Sequence, residues 1–296
     1  MPLSWGYFRP APEPVVILSP HTSLTRAFPF VQIAAQITDP IPRLAHRTDM
    51  TPRMDQAYPF DAEAVRRFHR AVFAPHQWPD DAVLAVPTIL KGYGVRTNRV
   101  PVGDIDRFVD LCAKGASAGA DVYVNVAPQR PGLDISARGG KKDALGLPAL
   151  FADVDTADGA HKAADKPGEL PLPTRAQAVE LLRSLPVPIT VLVATGGGLH
   201  AWYCLAELLE HNSKAGAELL RRWKATVVRT FREAGLRIDE GVLADPARML
   251  RVPGTLNQKR PGDPRPVRLL GDDAMAPPEW EQSIARWVAE ITPAAA

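Results

Sequence analysis

Two aspartates one residue apart, Asp153 and Asp155, close an apolar run that starts at Pro148 (PALFADVD). Alternate residues of a strand share a face, so the two carboxylates project together. Paired acids repel each other unless cations bridge them. Two-metal phosphoryl-transfer sites use such a pair, with ions about 3.5–4 Å apart. Magnesium and manganese both favour oxygen ligands of this kind. The same spacing also occurs at solvated strand ends, but Phe151 and Val154 surround this pair with apolar side chains.

A second segment, Thr195-Gly196-Gly197-Gly198-Leu199-His200, places a histidine directly after a glycine turn. Glycines let backbone N–H groups approach an anion closely. No Gly-Lys-Ser/Thr follows, so this is not a Walker loop. A glycine turn between strands is also ordinary hairpin punctuation, and a lone histidine is often a core residue. Beside an anion-ready turn, His200 is a candidate for phosphate or acid–base work.

The third segment runs from Asp245 to Lys259 (DPARMLRVPGTLNQK) and is dense in phosphate-recognising side chains: Arg248, Arg251, Thr255, Asn257 and Lys259. Arg248 and Arg251 would share one face of a helical turn but take opposite faces of a strand. In the strand case one arginine meets phosphate and the other supports a carboxylate. Asp239, expected in a short strand over 236–239, is the favoured third acid for the pair, with Asp245 as the alternative.

The elements that must position these groups are legible in part. Asp61 reads as an N-cap, with Val65, Phe68 and Val72 at helical spacing. A second helix is expected over 104–114, closing at Gly115. Residues 121–126 (DVYVNV) and 148–155 read as strands, with a basic glycine-containing loop at 138–142. Thr174 and Gln177 form a capping-box pattern for a helix ending before Pro186. Residues 189–194 and 199–205 predict a hairpin around the glycine turn. Ser213 opens a long helix to Ala234, stopped by Gly235, and a last amphipathic helix is expected over 280–291. Helices mixed with hairpin strands predict an α+β fold. Residues 1–95 are expected to be a partly helical N-terminal region and 96–296 the catalytic core.

The 296 residues include 35 Lys+Arg and 33 Asp+Glu, a net charge of +2 that excludes a polybasic protein. Charge is segregated, however: residues 211–270 hold 13 Lys/Arg against 6 Asp/Glu. Arg221, Arg222, Lys224 and Arg229 on the long helix are candidates for a single-stranded DNA surface, or form a solvated helix face. Tyr123 and Trp202 are candidates for base stacking, or core residues. Two cysteines, Cys112 and Cys204, exclude zinc sites that need three or four thiolates, so no zinc is expected. Thirty prolines, about twice average usage, break the chain into short elements, ten of them within the first 60 residues. No signal peptide or membrane span is visible, and a cytoplasmic location is expected.

The ordered set hhhDxD, then TGGGxH before an aromatic strand, then DxxRxxRxPGTxNxK resembles the archaeo-eukaryotic primase superfamily. Within it, the primase-polymerases of phages, plasmids and other mobile or CRISPR-associated elements are the nearest in pattern. The resemblance covers residues 118–275. It implies a two-part core with an RRM-like sheet and template-directed synthesis on single-stranded DNA from NTPs or dNTPs. Two divalent cations, Mg2+ or Mn2+, would be held by Asp153, Asp155 and Asp239 as catalytic residues. Thr195, Gly197, Gly198, His200, Arg248, Arg251, Asn257 and Lys259 would bind nucleotide. It further implies helicase or other replication modules as partners, and no membrane. A metal-dependent nuclease shares the acid pair but does not need the third segment. A non-catalytic replication initiator would need a recognition helix, and no helix-turn-helix pattern is evident.

Overall fold

The computed structural model describes residues 60–134, 137–159, 168–260 and 262–271. The proline-rich first 59 positions and the amphipathic helix expected over 280–291 lie outside the described residues. The chain forms an α+β fold of two antiparallel four-stranded sheets, a two-stranded ribbon and four α-helices among the described residues.

The first sheet has the order β2-β1-β3-β7, from β1 (Val83–Leu90), β2 (Gly94–Pro101), β3 (Asp121–Asn125) and β7 (Met249–Arg251). The hairpin of β1 and β2 is not among the elements expected from sequence, and position 95 falls inside it. The sheet therefore runs through the boundary expected between a helical N-terminal region and the core. Pro87 explains the omission, because a proline argues against a central strand. The structure accommodates it by breaking the β1–β3 ladder after Thr88↔Val122, with pairing resumed at the Val83↔Gln129 bridge.

The second sheet has the order β10-β5-β6-β4, from β10 (Arg268–Leu269), β5 (Val191–Ala194), β6 (Gly198–Leu209) and β4 (Leu147–Asp155). β8 (Leu256–Asn257) and β9 (Arg265–Pro266) form the ribbon.

Helix α1 (Ala62–Val72) starts where Asp61 accepts the Ala64 amide at 3.0 Å. Its Phe68 meets Trp202 edge-on at 5.3 Å, docking the helix against the second sheet. His69 of the same helix bonds the Val102 carbonyl at 2.8 Å, beyond the end of β2. One helix therefore ties both sheets together. Helix α2 (Ile105–Ser117) runs past Gly115, which packs against Val122 and Thr88, and its left-handed stop is Gly119 (φ 69°). Glycine at 115 serves close helix–sheet approach and does not end the helix.

Helix α3 (Arg175–Arg183) carries the expected capping box of Thr174 and Gln177. Helix α4 (Lys214–Glu233) packs Trp223 against Tyr203 at 4.7 Å and donates its indole N–H to the Phe151 carbonyl. Tyr203 and Trp202 are neighbours on β6, so they face opposite ways. Helices α3 and α4 therefore cover one face of the second sheet, and α1 covers part of the other.

Candidate active site

The β4–β6 ladder sets Asp153 directly across from His200 and Asp155 directly across from Gly198. Opposed residues of an antiparallel pair share a face, so the acids, the histidine and the glycine lie together. His200 Nε2 lies 3.4 Å from Asp153 Oδ1, and Arg248 donates to Oδ2 at 2.6 Å. Burial pushes the Asp153 carboxyl up, but His200 and then Arg248 outweigh it and hold the group well below the usual carboxylate range. Opposite Asp155, Gly198 leaves the space a side chain would fill. A Cβ there would also run into the Val154 carbonyl, so glycine is required by the strand pairing itself.

The glycine turn is pinned from outside through its carbonyls. Asn257 donates to Thr195 O at 2.7 Å, and Arg265 donates to Gly196 O at 3.0 Å. Gly196 has φ +77°, and a Cβ on it would sit 2.6 Å from that of Arg265. Two of the turn's amides are used internally: Thr195 N bonds Gly198 O at 2.9 Å, and Gly197 N reaches Thr195 Oγ1 at 3.4 Å. The turn is thus more a rigid wall than the open nest of amides its glycines suggest. Thr195 and Gly197 both line the cavity.

In the third segment Asp245 organises a turn, accepting the Ala247 amide on its side chain and the Arg248 amide on its carbonyl. Arg248 leaves this turn just before β7, whereas Arg251 lies within β7 opposite Tyr123. Because Arg248 precedes the regular strand, the opposite-face rule does not apply, and both arginines reach the same cavity. Their partners differ. Arg251 is buried, ion-paired with Asp121 on β3, with its guanidinium 4.8 Å from the Tyr123 ring centroid. Asp121 also accepts the Gln258 amide at 2.7 Å, tying the third segment to β3. Lys259 donates its amide to Asn257 Oδ1 and, with Arg260, lines the cavity.

Asp239 also lines this cavity, but from an exposed irregular segment and not from a strand, with Oδ1 accepting the Gly241 amide at 2.9 Å. Leu236–Asp239 makes no ladder because the Leu236 and Arg237 amides bond Phe231 O and Pro171 O. Asp245 does not line the cavity; its side chain is spent on the turn and lies 4.0 Å from Lys141.

Among the described residues, no three His, Cys, Asp or Glu side chains converge as a metal cluster. Two carboxylates on one face, opening into a polar cavity, are nonetheless the hard oxygen donors a Mg2+ or Mn2+ ion takes. The donor set therefore suits a divalent cation at Asp153 and Asp155, while Asp239 stands apart and Arg248 occupies one Asp153 oxygen.

The cavity encloses about 290 Å3 and brings together every nucleotide-site candidate except Gly198, which forms its floor strand. Sequence reasoning missed Arg260, Asp263 and Arg265 on its rim and Asp121 behind Arg251. The only signal for the two arginines was the local basic excess, and Asp263 had none. Trp202 is fully buried between Phe68 and Phe73 and is a core residue, whereas Tyr123 forms part of the wall.

The long-helix candidates lie elsewhere. Helix α4 packs on the face of the second sheet away from Asp153, so Arg221, Arg222, Lys224 and Arg229 are not brought to the cavity. Arg221 and Arg222 both donate to Glu218 at 2.5–2.8 Å. No described helix is long and apolar enough to cross a membrane.

No family model and no curated protein matches the chain. Among solved structures it is similar to the catalytic domain of primase RepB' in complex with initiator DNA, at 12% identity and a TM-score of 0.47, over 78% of this chain and 94% of that one. A second structure of primase RepB' gives 12% identity and a TM-score of 0.47, over 78% of this chain and 62% of that one.

Proposed function

We propose that this chain catalyses template-directed nucleotidyl transfer on single-stranded DNA from nucleoside triphosphates, as a primase, a polymerase or both. One observation carries the reading. Three distant sequence segments converge on one cavity that sets two carboxylates against a wall of cations. Arg248, Arg251, Lys259, Arg260 and Arg265 line it together with Asp153, Asp155, Asp239 and Asp263. Such a balance holds a triphosphate best when divalent cations accompany it. A simple hydrolase acting on a diester has no need of that many cations.

Asp153 and Asp155 would hold the divalent cations, with Asp239 as third acid. When bound, these ions lower the pKa of the attacking 3′-hydroxyl and stabilise charge on the reacting phosphate. The protein's own groups do the rest by position and charge. His200 faces Asp153 through Nε2, with its Nδ1 buried, and so orients the carboxylate. Arg248 neutralises Asp153 at rest, and its guanidinium can pass to a phosphate oxygen once the carboxylate takes a cation. Lys259, Arg260 and Arg265, which line the same cavity, would hold the leaving pyrophosphate. Tyr123, stacked under Arg251, offers a flat surface for base or sugar.

The deciding experiment is synthesis on a single-stranded DNA template with Mg2+ or Mn2+, comparing NTPs with dNTPs, with and without a primer. New or lengthened strands support the reading. Shortened input strands would identify a nuclease instead, and absence of any nucleotide binding would point to a non-catalytic DNA-binding role.

A further inference from the structure

The hairpin of β1 and β2 ends in a feature that no structural need explains. The two strands pair in unbroken register from Val83↔Pro101 to Leu90↔Gly94. Pairing of β1 with β3 extends only to Ile89↔Asp121, so the tip runs on past its neighbour as a braced arm. Gly92 and Gly94, with φ of 86° and 82°, make the turn. Between them stands Tyr93, 85% exposed, its backbone amide bonded to Leu90 O and its ring left in solvent. A glycine-flanked turn asks for small polar residues, and a tyrosine here exposes a ring without packing it. Val95, 47% exposed, lies two residues on.

The arm is also uniformly basic. Residues 82–103 contain no Asp or Glu, and Lys91 and Arg96 are exposed with no ion pair to a described residue. The strand pairings connect the arm to the cavity. Ile89 opposes both Val95 and Asp121, and Tyr123 follows Asp121 on the same face. Val95, Ile89, Asp121 and Tyr123 therefore share the face that opens on the cavity.

We infer that this arm is a single-strand binding platform, with Tyr93 stacking a base, Val95 packing beside it on the same face and Lys91 holding a flanking phosphate. Aromatic faces beside cations are how proteins grip single strands without reading sequence. No carboxylate or amide side chain stands at the tip to select a base edge, so binding is sequence-tolerant. The inference deepens the proposed function by naming where the strand leaves the cavity, and it rests on that reading for the strand's role as template.

The test needs neither nucleotide nor metal. Binding of a fluorescein-labelled 20-nucleotide dT strand is measured by anisotropy across a salt series. Tyr93→Ala should weaken binding roughly tenfold, while Tyr93→Trp restores it. Lys91→Ala should weaken binding and flatten the salt dependence by about 0.7, the share of one phosphate left without its cation. Each variant should keep the wild-type unfolding midpoint, since Tyr93 and Lys91 are both exposed. Unchanged dT affinity for Tyr93→Ala would overturn the inference, even if synthesis proceeds. Loss of affinity in Tyr93→Ala by a protein that never synthesises would support the platform and sink the polymerase reading instead.

Discussion

Asp153 and His200 stand directly across the β4–β6 ladder, His200 Nε2 3.4 Å from Asp153 Oδ1, with Arg248 on the other oxygen at 2.6 Å. Asp155, one step along the same face, supplies the second carboxylate of the pair. Asp155→Ala is expected to lower synthesis by on the order of 10²–10³-fold or more, the scale of losing one electrostatic group in a site of this kind. Binding of single-stranded DNA should stay within about twofold of wild type, since phosphate contacts by basic side chains dominate it. A primer-extension assay beside an anisotropy titration checks both. Wild-type extension by the Asp155 variant would remove the carboxylate pair from the mechanism.

Arg248 and Arg251 are expected to separate by phenotype. Arg251 is buried against Asp121, so Arg251→Ala leaves a buried carboxylate without its partner and should cost about 3–5 kcal/mol in urea unfolding. Arg248 pairs with Asp153 at the cavity edge, so Arg248→Ala should change stability little and raise the nucleotide KM. Equal stability losses in the two variants would contradict this division.

Gly198→Ala tests the strand pairing that holds the acids. Its Cβ would collide with the Val154 carbonyl, and backbone cannot yield as a side chain does. A loss of roughly 1–3 kcal/mol is expected, together with loss of synthesis as Asp155 shifts. Thermal melts with the extension assay read both effects. An alanine variant of full activity would show that this ladder has room to spare.

The sequence showed the acid pair, the glycine turn and the arginine segment because each concentrates unusual residue types at short spacing. It also showed α1 through Asp61 and α3 through Thr174 and Gln177, where local hydrogen bonds mark the start. What it hid is set by long-range pairing. Asp121 has no local sign of function; it matters because Arg251, 130 residues later, docks on it. Arg265 is similarly silent until β9 lays it over Gly196. The β1–β2 hairpin was masked by Pro87, and although periodicity marks the apolar face of α4, the side of the second sheet it covers is set by Trp223 packing on Tyr203.

A pH effect on stability is expected from His69. Burial, the largest influence, lowers its pKa despite the opposing bond to Val102. The unfolded chain then binds more protons from the ordinary value near pH 6.5 down to the folded value, so stability is full above that window and falls as pH drops through it. His69→Phe should flatten the slope of unfolding midpoint between about pH 7.5 and 5. Some slope should remain, because His76 is shifted in the same direction. A variant as acid-sensitive as wild type would assign the effect to other groups.

The outside pins on the glycine turn, Asn257 and Arg265, come from the last described part of the chain, as does β10 at the edge beside β5. Both pins are separated from the turn by more than sixty residues, and Gln258 reaches Asp121 across 137. Such distant closures are slow to form. During synthesis on the ribosome, the acid pair and histidine can be in place on their ladder long before the wall that would seat a triphosphate exists. The protein should therefore remain chemically silent until residue 269 has left the exit tunnel, and a chain stopped near residue 250 should keep its sheets' early strands yet bind no nucleotide.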